Sequence, residues 1–149
     1  REVMIAQGSP AESRLRVFVV DDEADIVEYL TVVLEDAGYR AAGETDPERA
    51  LKRIEQSPPD LILLDVMMPG RTGLDLYRKI RRRKETARVP VLFISGYSRE
   101  EEFARSGPPA FEAEKLPPPD GYLEKPISVP GLLGKIETLT AGAGGRARV

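Results

Sequence analysis

Apolar residues come in two spacings along the chain, short unbroken runs and repeats of three to four, and the two alternate. The most continuous run is Leu61-Ile62-Leu63-Leu64, followed by Asp65 and, a few residues on, Pro69-Gly70. Such a run, closed by a carboxylate and a breaker, predicts a strand buried on both faces. Leu15-Arg16-Val17-Phe18-Val19-Val20 predicts an earlier strand ending in Asp21-Asp22-Glu23, and Pro90-Val91-Leu92-Phe93-Ile94-Ser95 a later one. Weaker strands are expected at Tyr39–Gly43 and at Gly121-Tyr122-Leu123-Glu124, the latter followed by Lys125-Pro126.

Between these runs the spacing changes to that of a helix. Ile26, Leu30, Val33, Leu34 and Ala37 share one helical face, with Asp22 and Asp25 at its start and Gly38 at its stop. Thr45-Asp46-Pro47-Glu48 reads as a capping box with proline in the first turn, opening a helix that turns Ala50, Leu51 and Ile54 inward. A third helix is expected from about Gly73 to Lys84, burying Leu74, Tyr77 and Ile80. Its end, Arg81-Arg82-Arg83-Lys84, reads as a solvated last turn that complements the helix dipole. Ser98-Arg99-Glu100-Glu101 starts a short helix limited by Gly107-Pro108-Pro109, and Phe111–Lys115 could add one turn before Pro117-Pro118-Pro119. The last helix starts at Ser128 and puts Leu132, Leu133, Ile136 and Leu139 on one face. Alternation of this kind predicts a parallel sheet covered on both faces, an α/β doubly wound sandwich. Residues 1–13 read as an N-terminal extension or linker, and residues 142–149 as a flexible C-terminal tail. Because residue 1 is Arg, the chain reads as a fragment of something longer or a processed product.

Composition narrows the chemistry. At 149 residues the chain suits one domain, and 41% hydrophobic with 32% charged residues suits a folded, soluble one. A net charge of −3 gives no reason to expect nucleic acid or an anionic membrane as a partner. Neither cysteine nor histidine is present. Disulfides, thiolate metal sites, imidazole-bound zinc and a Ser-His-Asp triad are therefore excluded, and a reducing cytosol is the expected location. Any bound metal must have oxygen ligands, which favours a hard cation such as Mg²⁺. The glycine pattern shows neither a Rossmann nor a P-loop signature, so no nucleotide cofactor is expected.

In open parallel sheets ligands bind beyond the carboxyl ends of the strands. Asp21 and Asp22 follow the first strand, Asp65 ends the third, Ser95 the fourth, and Lys125 follows the fifth. Clustered carboxylates repel one another unless a cation sits among them. A carboxylate beside such a cation, an ammonium and a hydroxyl can hold a phosphoryl group and attack phosphorus. Read singly, Asp65 and Asp22 could be no more than capping acids, Ser95 a turn residue and Tyr122 core packing.

Four motifs taken together resemble the receiver domain of two-component response regulators, over about residues 14–141. They are Val19-Val20-Asp21-Asp22-Glu23, Asp65-Val66-Met67-Met68-Pro69 with Gly73 eight positions after Asp65, Ile94-Ser95-Gly96, and Tyr122-Leu123-Glu124-Lys125-Pro126. The resemblance implies a five-stranded flavodoxin-like sheet in the order 2-1-3-4-5. It implies that Asp65 accepts a phosphoryl group from a histidine kinase or a histidine phosphotransfer protein, and that Asp21, Asp22, Asp65 and the Met67 backbone carbonyl hold Mg²⁺. Lys125 is implied to pair with the phosphate through a loop with a cis Lys125-Pro126 bond, and Ser95 and Tyr122 to act as the switch. Glu23, Asp25 and Asp75 are expected to be exposed or capping acids.

Two departures qualify the resemblance. The stretch from Ser95 to Lys125 is long and proline-rich, so the fourth helix of the family is expected to be short or irregular, and the chain a monomer or weak dimer. Met67 and Tyr97, two positions after Asp65 and Ser95, would hinder a hydrolytic water, so slow self-dephosphorylation is expected. Two other readings are a degenerate receiver that docks unphosphorylated and an aspartate-nucleophile phosphatase. The phosphatase normally has a second acid two residues after the nucleophile, where this chain has Met67. No output domain fits in the remaining length, so the chain is expected to be a single-domain regulator or the receiver piece of a larger protein.

Overall fold

Leu61, Ile62, Leu63 and Leu64 are all fully buried, and their side chains divide between two separate cores. Ile62 and Leu64 join one cluster, Leu61 and Leu63 the other. That alternation is the consequence of a strand with helices on both sides. A computed structural model of the chain describes residues 14–66, 72–95 and 116–147, with side chains for all of these but Thr72, Ser95 and residues 142–147.

Within these residues the elements are β1 (Arg16–Val20), α1 (Ala24–Asp36), β2 (Arg40–Glu44), α2 (Pro47–Gln56), β3 (Leu61–Asp65), α3 (Thr72–Arg82), β4 (Val91–Ser95), β5 (Gly121–Glu124) and α4 (Val129–Ala147). The strands form one parallel sheet in the order β2-β1-β3-β4-β5, as the motifs imply. Ala50 and Ile54 of α2 and Leu76, Tyr77 and Ile80 of α3 pack on one face with Phe18, Val20 and Phe93. Leu30 and Leu34 of α1 and Leu132 and Ile136 of α4 pack on the other with Val17, Val19 and Ile94. The 3.6-residue spacing located most of each buried stripe, but Ala37, expected to face inward, is exposed, and in α3 the buried residue beside Tyr77 and Ile80 is Leu76, with Leu74 half-buried.

Several local expectations are corrected. The cap of α2 is Asp46, whose carboxylate accepts from the Arg49 N–H at 2.9 Å, rather than Thr45. Pro47 occupies the first helical position and has no N–H to bond, which places the cap one residue before it. The cap position of α1 is Glu23, with extended backbone and no side-chain bond to the helix, so Asp22 lies one residue before the cap. Gly38 does end α1, at φ +102°, a left-handed conformation that glycine adopts without a Cβ clash.

The expected solvated basic end of α3 is corrected at its first residue. Arg81 has a side chain only 5% exposed. Its guanidinium donates to Ala87 O at 3.2 Å and Val89 O at 2.7 Å, to Tyr77 Oη at 3.1 Å and to Asp120 Oδ2 at 3.0 Å. Arg82, Arg83 and Lys84 are exposed. Tyr77 in turn donates to Pro117 O at 2.7 Å, and Asp120 Oδ2 accepts from the Val91 N–H at 2.8 Å. The segment leading into β5 is thereby bolted to α3 and to the start of β4.

At the C-terminus the backbone is helical to Ala147, past the point where a flexible tail was expected. Glycines weaken a helix but, unlike proline, leave its hydrogen-bond ladder intact, and none of Ala141–Ala147 is proline. Residues 1–13, the helix expected from Ser98 and the turn at Phe111–Lys115 lie outside the described residues.

Candidate functional site

Strand register collects the chemistry at one edge. Val20 is the partner of Leu64, Asp65 of Ile94, and Ser95 of Glu124. At that edge Asp65, the last residue of β3, meets Asp21 and Lys125, the first residues past β1 and β5. Ser95 ends β4 at the same edge; its side chain is outside the described set. Met67 also lies outside the described residues, as does Tyr97.

Asp21 is fully buried and Asp65 is 3% exposed, while Asp22 faces solvent. One carboxylate oxygen of Asp21 accepts the Glu23 N–H at 2.9 Å. The other, Oδ2, faces Lys125 Nζ at 3.0 Å. That contact is close enough for an ion pair but lacks hydrogen-bond angles, and Oδ2 has no hydrogen-bond partner. Lys125 Nζ lies 3.5 Å from Asp65 Oδ2 and 3.7 Å from Glu23 Oε1. Burial alone would push the Lys125 ammonium down; the Asp21, Asp65 and Glu23 carboxylates more than reverse this and hold it above the ordinary lysine value. The Lys125-Pro126 bond is cis.

Asp21, Asp22 and Asp65 each present an oxygen, and these oxygens lie within 4.8 Å of one another. Counting Glu23, four carboxylates crowd this edge; three of them face the Lys125 ammonium, and the buried Oδ2 of Asp21 has no hydrogen bond. Taking a carboxylate out of water costs several kcal/mol, and an ammonium divided among three carboxylates offsets only part of it. A hard divalent cation would relieve that cost, so the donor set fits Mg²⁺ by chemistry as well as by spacing.

Gly73 shows why the end of β3 can sit where it does. A Cβ there would lie 2.5 Å from Asp65 O and 2.7 Å from Val66 Cα. Only glycine lets the start of α3 approach the strand end so closely. The interval between Asp65 and Gly73, noted in the sequence as a motif, is thus a packing requirement of the site.

Tyr122 is half-buried against the α2–α3 core and meets Phe93 edge-to-face at 6.0 Å between ring centroids. Phe93 meets Tyr77 in the same manner at 4.9 Å. Glu23, read from sequence as an exposed or capping acid, is the residue that sequence reasoning placed outside the site. Its adjacency to Asp21 and Asp22 was the available signal. Beside the site, Ile26, Tyr29, Leu30, Lys125, Pro126 and Ile127 line a groove of about 350 Å³. No helix among the described residues is long and apolar enough to cross a membrane.

The response regulator receiver domain family matches this chain over residues 17–137. The phosphate regulon transcriptional regulatory protein PhoB of Escherichia coli K12 is 32% identical over 124 residues, which cover 83% of this chain and 51% of PhoB. The DNA-binding response regulator MtrA of Mycolicibacterium paratuberculosis is 39% identical over 82 residues, 55% of this chain and 35% of MtrA. The chain spans about half the length of the PhoB relatives it matches, and the charge argument against a nucleic-acid partner applies to these 149 residues alone. Among solved structures, the chemotaxis response regulator CheY4 of Vibrio cholerae superposes with a TM-score of 0.71 at 25% identity, covering 85% of this chain and 98% of that one. The Francisella response regulator 1452 receiver domain does so with a TM-score of 0.71 at 25% identity, covering 87% and 99%. Receiver domains are regulatory phosphoacceptor domains rather than enzymes in the ordinary sense; they bind Mg²⁺ at an acidic site and interact with histidine kinases. With that match over most of its length, the 2-1-3-4-5 sheet and an acidic cluster at its carboxyl edge, this chain belongs to the response regulator receiver domain family.

Proposed function

We propose that this protein is a phosphorylation-controlled switch in which Asp65 accepts a phosphoryl group from the phosphohistidine of a histidine kinase or histidine phosphotransfer protein. The observation that carries the reading is the Lys125 ammonium, 3.5 Å from Asp65 and 3.0 Å from Asp21 at an edge rich in carboxylate. In the transfer an Asp65 carboxylate oxygen forms a bond to phosphorus and the P–N bond breaks. The imidazole leaves with the electron pair and takes up a proton from solvent. Mg²⁺, when bound, supplies positive charge against the phosphoryl oxygens. Asp21, Asp22 and Asp65 would hold it, together with the Met67 carbonyl.

Lys125 neutralises and orients the phosphoryl oxygens, and the Ser95 hydroxyl donates to one of them. Tyr122 packs inward behind Ser95. A new dianion on Asp65 thus gives one packing of β4 and β5 contacts that the other lacks, and the population shifts toward it. The groove beside Lys125 gives a protein donor an apolar surface next to the acceptor. A domain that worked by docking alone would have no need to keep a buried carboxylate pair around a lysine, since such groups are costly to maintain. Met67 and Tyr97 hinder the hydrolytic water, so the phosphorylated form outlasts seconds.

Incubation with acetyl phosphate and Mg²⁺, followed by intact mass measurement, tests the reading. The wild type gains the mass of one phosphoryl group and Asp65→Asn gains none. No adduct on the wild type, or the same adduct on both, refutes it.

A further inference from the structure

Glu23 holds the cap position of α1 without acting as a cap. Its backbone is fixed on both sides. The N–H donates to Asp21 Oδ1 at 2.9 Å, and the carbonyl accepts from Ile26 N and Val27 N, each at 3.1 Å. A serine or aspartate side chain at such a position would bond back to the helix N–H groups. The Glu23 side chain makes no such bond. Instead its carboxylate, 63% exposed, lies 3.7 Å from Lys125 Nζ.

Lys125 is thus shared by three carboxylates of different standing. Asp21 is buried at 3.0 Å, Asp65 is the acceptor at 3.5 Å, and Glu23 is the distant and water-exposed one. A phosphoryl group arriving on Asp65 needs the ammonium turned toward its oxygens. Asp21 lies deep on the side of the acceptor and can keep its contact. Glu23 reaches the lysine from the turn between β1 and α1, so its contact is the one given up.

We infer that Glu23 is a positioning residue that restrains Lys125 toward the β1–α1 turn and slows phosphorylation of Asp65, an inference that rests on the phosphoacceptor reading above. The restraint is weak because an exposed pair is screened by water. It is a brake of a few fold and not a lock.

The test follows adduct formation on Asp65 with acetyl phosphate and Mg²⁺. In that reaction the new bond joins an Asp65 oxygen to phosphorus, the P–O bond to the acetyl group breaks, and acetate leaves with the electron pair. Glu23→Gln, which removes the charge at an exposed position, raises the initial rate about two- to fivefold. Asp25→Asn removes the same charge from the same turn of α1, at a residue not seen in contact with Lys125, and leaves the rate unchanged. In a Lys125→Met background Glu23→Gln has no effect. Independently of turnover, the NMR signal of the Lys125 ε-ammonium moves in Glu23→Gln and stays in place in Asp25→Asn. Equal acceleration by both variants, which would reveal bulk charge alone, overturns the proposal, as does an unchanged or slower rate in Glu23→Gln. An acceleration that persists without Lys125, or an ammonium signal that does not move, also overturns it. Absence of any adduct on the wild type removes the phosphoacceptor reading and the brake together; an adduct with unaltered rates removes only the brake.

Discussion

Replacing Asp120 by alanine should destabilise the protein by about 2–3 kcal/mol, and the structure gives the reason. Asp120 Oδ2 accepts from the Val91 N–H at 2.8 Å and from Arg81 at 3.0 Å. Val91 is fully buried and the Arg81 side chain is 5% exposed. Alanine strands the amide and leaves the guanidinium with two carbonyls and a phenol but no counter-charge. A hydrogen bond to a charged group contributes about 1.5–3 kcal/mol, and breaking a buried pair from one side costs about 3–5 kcal/mol. The Asp120 side chain is 41% exposed, so water entering the vacated place recovers part of that. Asp120→Asn keeps an oxygen for Val91 and loses only the charge, at a cost of about 1 kcal/mol. Equilibrium urea unfolding followed by circular dichroism measures both. With a slope of about 2 kcal/mol per molar, the alanine midpoint falls by roughly 1–1.5 M and the slope stays constant. An alanine variant within about 0.5 kcal/mol of wild type, or an asparagine variant as damaged as alanine, would refute the account of Arg81 as a buried bolt.

Other consequences concern the site and its pH limits. Gly73→Ala forces a Cβ into Asp65 O and Val66 Cα, so it should cost about 1–3 kcal/mol in thermal unfolding and also slow adduct formation on Asp65. Mg²⁺ at a hundred times its dissociation constant should stabilise the wild type by about 2.7 kcal/mol. Asp22→Asn, at an exposed position, should abolish that shift in melting temperature while leaving the metal-free protein near wild type. On the alkaline side Lys125 is raised in the folded state, so its contribution is complete below the unfolded value of about 10.4 and is lost as pH climbs through the folded value. Tyr77, raised by burial of its phenol, acts in the same direction, and Tyr77→Phe should flatten the alkaline fall in melting temperature. On the acid side, burial pushes the Glu44 carboxyl up, but the Asp46 N–H, Arg49 and Arg53 outweigh it and hold it low. Its contribution is present above the unfolded value of about 4.3 and is lost as pH falls through the folded one; Glu44→Gln should remove that part of the acid limb.

The sequence alone determined the layers and which charged residues stand together at the sheet edge. Each buried strand announced itself by an unbroken apolar run, and each helix by the spacing of residues such as Leu30 and Leu34 or Leu132 and Ile136. Parallel strands deliver their last residues to one edge, so Asp21, Asp65 and Lys125 could be placed together before any contact was seen. Those signals are local, because periodicity and strand ends are written in consecutive residues. What only the tertiary structure decided lies across the chain. Arg81 looked like one of four solvated cations until Asp120 and the Ala87 and Val89 carbonyls enclosed it. Tyr77 showed its apolar ring in the helical pattern but not its bond to Pro117, forty residues away. Glu23 looked like another acid at a helix start, and it became a neighbour of Lys125 only when β5 was laid beside β4 and its end brought round to β1. A long polar side chain can satisfy its charge with any partner within reach, and sequence does not say which partner folding will bring.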